Sequence, residues 1–191
     1  MPRPPILPAI DWLEVYNNSL EFGAWLDIAE DAEKRTAMEA GLADQELDTT
    51  TQSFLSALPK PVNVVAIAEA WCGDVVRHVP VLQKLAEASP QVRVRYLARE
   101  DRPDVFVRFL TNGGEAIPKF IFLSEEFVEC ANWGPMPAAC RELIARGKAC
   151  GDVGSARELV SAAYESDAGK AVVAQELAQC IDLAASTSPE P

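Results

Sequence analysis

Residues Asn63 to Glu69 (NVVAIAE) limit what this chain can become more than any other stretch. The run is short, β-branched and apolar on both faces, the pattern of a strand buried at the centre of a sheet. Trp71-Cys72-Gly73-Asp74 follows at once. A segment to about Ala88 then places Val75, Val79, Leu82 and Ala86 at helical spacing. A doubly buried strand feeding a helix needs cover on both sheet faces, which predicts an α/β fold. Pro80 falls inside the predicted helix, where it removes one backbone hydrogen bond.

The remaining elements follow from the same periodicities. Val92 to Ala98 alternates, with Val92, Val94 and Tyr96 on one side and Arg93 and Arg95 on the other, as a half-exposed edge strand would. Pro103 opens a helix carrying Val105, Phe106, Phe109 and Leu110, and Gly113-Gly114 closes it. Ile117 to Leu123 (IPKFIFL) reads as a strand, Phe127 to Trp133 as its hairpin partner, and Gly134-Pro135 as a break. Helices are predicted over Pro137 to Cys150 and Ser155 to Ala185, the second interrupted around Gly169. Upstream, Ile10 to Tyr16 and Ser19 to about Ala40 read as helices, the second burying Phe22, Trp25, Leu26 and Ala29 and stopping at Gly41. A third starts at Thr49, with Gln52 placed for a capping box, and ends before Pro59. The chain thus divides into an N-terminal helical extension (1–58), a core (59–150), a C-terminal helical segment (151–185) and a tail expected to be disordered (186–191).

Composition narrows the chemistry. The net charge of -12, from 29 acidic and 17 basic residues, disfavours nucleic acid and anionic membranes as partners, since both are polyanions. The longest apolar run, Val64 to Ala68, is too short to span a bilayer. One arginine and three prolines ahead of Ile6 do not make a secretory signal, so a cytoplasmic location is expected. Five cysteines, Cys72, Cys130, Cys140, Cys150 and Cys180, form an odd set without a CxxC pair. That argues against a disulfide framework and against structural zinc, and the single histidine, His78, cannot complete a metal site. No metal and no cofactor is expected.

Four features in order resemble the thioredoxin superfamily over roughly Pro61 to Cys150. Trp71-Cys72-Gly73 falls at a strand-to-helix turn, and Pro80 lies eight residues past Cys72. Ile117-Pro118 matches the family's cis-proline loop and Trp133-Gly134 its glycine loop. The resemblance implies a thioredoxin-like fold, a mixed β-sheet of about four strands flanked by helices, with the substrate groove between those two loops. More narrowly, WCGD, TNGG before IPKF, and WGP look like a bacterial thioredoxin-like subfamily.

A cysteine at a helix N-terminus meets unpaired N–H groups and the positive end of the helix dipole, which favour the thiolate. Asp74 opposes this, and Arg77 and His78 one turn on could compensate, so the net sign stays open. His78 is expected to be partly exposed. The resolving cysteine of the family is Val75 here, and the buried acidic residue of many thioredoxins falls at Ala66. Ordinary dithiol reduction is therefore not expected. Three outcomes remain: Cys72 forms a mixed disulfide with a protein or low-molecular-weight thiol or disulfide and is released by an external thiol; a distant cysteine, Cys130 foremost, resolves it; or the groove is kept for binding without redox chemistry. Trp71 and Trp133 are expected to flank the groove, Trp12 and Trp25 to pack in the extension, and Cys140, Cys150 and Cys180 to be packed rather than reactive. Oligomeric state is not legible.

Overall fold

The structure, a computed structural model, describes residues 7–167 and 169–189. Most of the proline-rich lead-in (1–6) and the last two residues of the expected tail lie outside them.

Four strands form one mixed sheet in the order β2-β1-β3-β4: β1 (Val62–Ile67), β2 (Val92–Leu97), β3 (Lys119–Leu123) and β4 (Glu129–Trp133). β1 runs parallel to β2 and antiparallel to β3, and β4 is antiparallel to β3. Every residue of β1 is buried, as its unbroken apolar pattern requires. Its one polar member, Asn63, is satisfied by donating to the Ser124 carbonyl at 3.0 Å. β2 lies at the edge, and Leu20 covers part of it by exchanging backbone hydrogen bonds with Tyr96, each 2.8 Å long. The architecture is the α/β, thioredoxin-like one, with helices packed against the sheet.

Aspartates place the helix starts. α1 (Trp12–Asn17) begins at Asp11, whose carboxylate accepts the Glu14 N–H at 3.0 Å. The helix expected from Ser19 to Ala40 is two: α2 (Phe22–Asp27) and α3 (Ala32–Ala43). Asp31 makes the break, because its carboxylate accepts the Glu33 and Lys34 N–H groups and so caps a new helix. α4 (Thr49–Ser56) starts where expected, but Asp48 is its cap, accepting from Thr51 N at 2.7 Å, while the Gln52 side chain donates to the Leu47 carbonyl. α5 (Gly73–Ala88) carries Pro80 and buries Val75, His78, Val79, Leu82 and Leu85; Ala86 of the expected stripe is only half-buried. The segment from Pro103 is a short helix, α6 (Pro103–Phe106), continued by a 3-10 turn to Phe109, and Thr111 to Gly114 folds back on itself.

α7 (Ala138–Cys150) ends at Gly151, whose φ of 80° is the left-handed conformation glycine adopts freely. The interruption expected near Gly169 separates α8 (Val153–Ser166) from α9 (Ala171–Ala185). α9 presents Val173, Leu177 and Ile181 to the same core as the sheet. Each such side chain contributes on the order of 1.5–3 kcal/mol by leaving water. Among the described residues no helix is long and apolar enough to cross a membrane.

Candidate functional site

Cys72 is the N-cap of α5, held in extended backbone (φ -84°, ψ 128°) just past the end of β1. Its half-buried thiol donates to the Ile117 carbonyl at 3.5 Å. Ile117 precedes Pro118 across a cis peptide bond, so strand β3 delivers this loop directly against the cysteine. On the far side, Gly134 (φ 116°) lies so close that a Cβ there would stand 2.1 Å from the Pro118 carbonyl oxygen. Only glycine permits that approach. The Gly134–Pro135 bond is also cis, and the Lys119 ammonium ties the two loops by donating to the Gly134 carbonyl at 2.7 Å.

The electrostatic balance at the thiol goes against the helix terminus. Burial pushes the Cys72 thiol above its ordinary value. The N–H groups of Val75 and Asp74 pull it down, the Asp74 carboxylate pushes it up again, and Lys34 pulls down; burial prevails. The sign that the sequence leaves open is thus upward. Val75 is fully buried, and Ala66 on β1 likewise.

Arg77 and His78 do not serve the thiol. The Arg77 guanidinium donates to the Tyr164 and Asp167 carbonyls, both at 2.9 Å, and stacks on the Tyr164 ring at 4.4 Å. His78 is wholly buried, which corrects the expectation of a partly exposed ring. Burial first, then the Arg77 and Lys170 charges, drive its pKa down to about 3, so the ring is neutral. Its Nε2 lies 3.2 Å from the Tyr164 hydroxyl, which donates to Asp74 Oδ1 at 2.9 Å. Burial raises the Asp74 carboxyl above the usual carboxylate range, and the Tyr164 hydrogen bond and Arg77 only partly oppose it.

The two tryptophans part company. Trp71 is 54% exposed, with the Arg99 guanidinium 5.4 Å from its ring centroid and its carbonyl accepting from Lys34. Trp133 is buried, stacked on Phe120 with centroids 5.3 Å apart, its Nε1 donating to Glu176 at 2.6 Å. It supports the glycine loop from below and forms no rim, because α9 covers it. Trp12 and Trp25 are core residues of the helical extension.

All five cysteines are free. Cys130 sits on β4 beside the Leu123–Glu129 pairing, whereas Cys72 lies beyond Ile67, which pairs with Lys119 at the other end of the sheet. Three residues of strand, about 10 Å, separate Cys130 from Trp133 alone. A disulfide needs Cα atoms within roughly 7 Å, so β4 does not bring Cys130 to Cys72. Cys140 is buried and Cys180 half-buried, but Cys150 is exposed at the end of α7, contrary to expectation.

The sequence reading did not find Lys34, Tyr164 and Glu176, which reach the site from α3, α8 and α9. Nothing near them in the chain marks them; Tyr164 lies 90 positions from the Asp74 it bonds.

Comparison with known proteins bears on the fold and the family. A crystal structure of PA1234, a protein of unknown function from Pseudomonas aeruginosa, matches with a TM-score of 0.69 at 16% identity, covering 91% of this chain and 98% of that one. An HIV epitope-scaffold matches with a TM-score of 0.70, again at 16% identity, 91% of this chain and 98% of the other. No curated protein matches the sequence. The pattern of the thioredoxin family, in contrast, matches residues 19–152, from the bridge at Leu20 through the whole sheet to the end of α7. With the cysteine at the start of α5, the cis-proline loop against it and the glycine loop behind, the chain belongs to the thioredoxin family.

Proposed function

We propose that the protein exchanges disulfides through Cys72 alone. The reading rests on one observation: the Cys72 thiol stands at the N-terminus of α5, half-exposed, against the Ile117 carbonyl of the cis-proline loop. An extended disulfide-bearing partner lying along that loop would bring its sulfur to this point. Cys72 first loses its proton to solvent. The thiolate then attacks one sulfur of the partner disulfide, forming a mixed disulfide while the second sulfur leaves as a thiolate and takes up a proton. Val75 has no sulfur with which to resolve that bond. A low-molecular-weight thiol attacks the partner's sulfur instead, returning Cys72 as a thiol and leaving the partner half joined to the small thiol. The protein ends in the oxidation state in which it began.

The raised thiol favours a second reading, in which the same groove binds a partner without exchange, since an undissociated thiol is a poor nucleophile. Incubation with oxidised glutathione, with adducts located by mass spectrometry, separates the two. Selective glutathionylation of Cys72, reversed by excess reduced glutathione and lost in Cys72→Ser, supports exchange. Adducts on the exposed Cys130 and Cys150 with none on Cys72 would leave the binding reading.

A further inference from the structure

The motifs that frame the cysteine also supply a second set of residues with no part in thiol chemistry. Thr111 and Asn112 of the TNGG turn, Lys119 on β3, Asn132 and Gly134 at the end of β4, and Arg141 on α7 line an open cavity of about 390 Å³. Successive strand residues face opposite ways, and Phe120 stacks on Trp133, which meets His78 of α5. Lys119 therefore projects from the other sheet face, away from the helix that carries Cys72.

Lys119 is an unusual residue to bury, with only 5% of its surface exposed. Its ammonium has three N–H donors, of which the Gly134 carbonyl takes one, and that carbonyl carries no charge. Arg141 donates to the Met136 carbonyl at 2.6 Å. Among the described residues neither cation is in an ion pair. The one carboxylate on the rim, Glu142, is engaged by Arg146. The Thr111 hydroxyl is buried and finds no hydrogen-bond partner among the described residues. In a chain of net charge -12, two cations and an orphan hydroxyl thus line one space whose rim carboxylate is already held by Arg146. Burial and the neighbouring Arg141 hold the Lys119 pKa down to about 8, the signature of a charge lacking its counter-charge. Tying the two loops together needs one donor and no charge, so that role alone does not explain a lysine.

We propose that this cavity is an oxyanion site that takes a tetrahedral dianion, phosphate either free or as the head of a small phosphorylated molecule, with Lys119 and Arg141 balancing its charge and Thr111, Asn112 and Asn132 offering neutral donors. A site built for two negative charges distinguishes phosphate and sulfate from a monocarboxylate. The proposal does not depend on Cys72 being reactive.

Thermal unfolding of the full chain, titrated with inorganic phosphate, sulfate, glycerol phosphate or acetate at ionic strength fixed with sodium chloride, tests it. The expected result is a saturable rise in melting temperature with phosphate and sulfate and none with acetate. Arg141→Gln should weaken half-saturation about tenfold and Thr111→Val severalfold, while Lys148→Gln, an exposed lysine on the same helix, should leave it unchanged. Arg141→Gln and Thr111→Val decide the matter even if Lys119→Gln does not fold. Saturation by glycerol phosphate at or below the phosphate concentration assigns a phosphorylated molecule; phosphate without its ester assigns the free ion. A rise that never saturates, an adventitious ion effect equal in Arg141→Gln and wild type, or an equal response to acetate overturns the proposal.

Discussion

At Cys72 two physical effects of opposite sign meet, and only the structure shows which prevails. The position at a helix start is plain in the sequence, since WCGD follows a strand and precedes an amphipathic helix. The depth of the sulfur is not, because it depends on parts of the chain far from it in sequence, the Ile117 carbonyl among them. Burial outweighs the helix N–H groups, and Lys34 is among the influences that hold the thiol down while Asp74 raises it. Alkylation of Cys72 followed by mass spectrometry should therefore become half-maximal at higher pH than in a free cysteine peptide. Lys34→Ala should move that midpoint further up and Asp74→Asn should move it down. A wild-type midpoint below the free peptide would mean that the helix terminus prevails, and would strengthen the exchange reading at neutral pH. Gly134 shows the opposite case of a residue whose role is visible early: WGP announces a turn, and the 2.1 Å a Cβ would have to the Pro118 oxygen says why glycine stands there.

Among the elements, strands and turns were more legible than helix partners. β1 and β3 read directly from apolar runs, and β2 from its alternation. The break between α2 and α3 is hidden by the helical spacing of Phe22, Trp25, Leu26 and Ala29, although an aspartate ahead of Ala32-Glu33-Lys34 is itself a capping signal. What α8 and α9 do was not legible at all, since nothing local in a helix says which distant side chain it will meet. Tyr164 of α8 reaches α5, its hydroxyl donating to Asp74 and standing 3.2 Å from His78 Nε2. Tyr164→Phe removes that oxygen, leaving the buried His78 Nε2 and the part-buried Asp74 carboxylate without it. A loss of about 1–3 kcal/mol follows for stranded polar groups of this kind. In a chain of this size that lowers the melting temperature by roughly 3–10 °C. Calorimetry showing a change of less than about 1 °C, the size of a surface substitution, would mean that the hydroxyl is replaceable there by water.

On the scale of the whole molecule, the buried histidine makes stability depend on pH in a way that can be assigned in advance. His78 is enclosed by α5, α8 and the Trp133 ring, and its Nδ1 finds no hydrogen-bond partner among the described residues. Folded, it resists protonation down to about pH 3; unfolded, it takes a proton near its ordinary value of 6.5. Between those values the unfolded chain binds more protons, so stability is complete above pH 6.5 and is lost as pH falls toward 3. Each pH unit within the window removes up to about 1.4 kcal/mol. Asp74, whose folded carboxyl titrates above the usual value, works in the other direction. Asp31, Asp48 and Asp152 are held low by the N–H groups they cap, and their contribution is lost only below the usual carboxylate range. The difference between the wild type and a variant without the histidine, taken from pH 6.5 to about 5, therefore isolates His78. Urea unfolding across that interval should show stability falling more steeply with falling pH in the wild type than in His78→Phe, whatever the substitution does to stability at neutral pH. The slope is the decisive quantity, because repacking shifts the whole curve while only a titrating group tilts it. An unchanged slope in His78→Phe would show that the ring is open to protons in the folded state, and that the contact among α5, α8 and Trp133 loosens before the molecule unfolds.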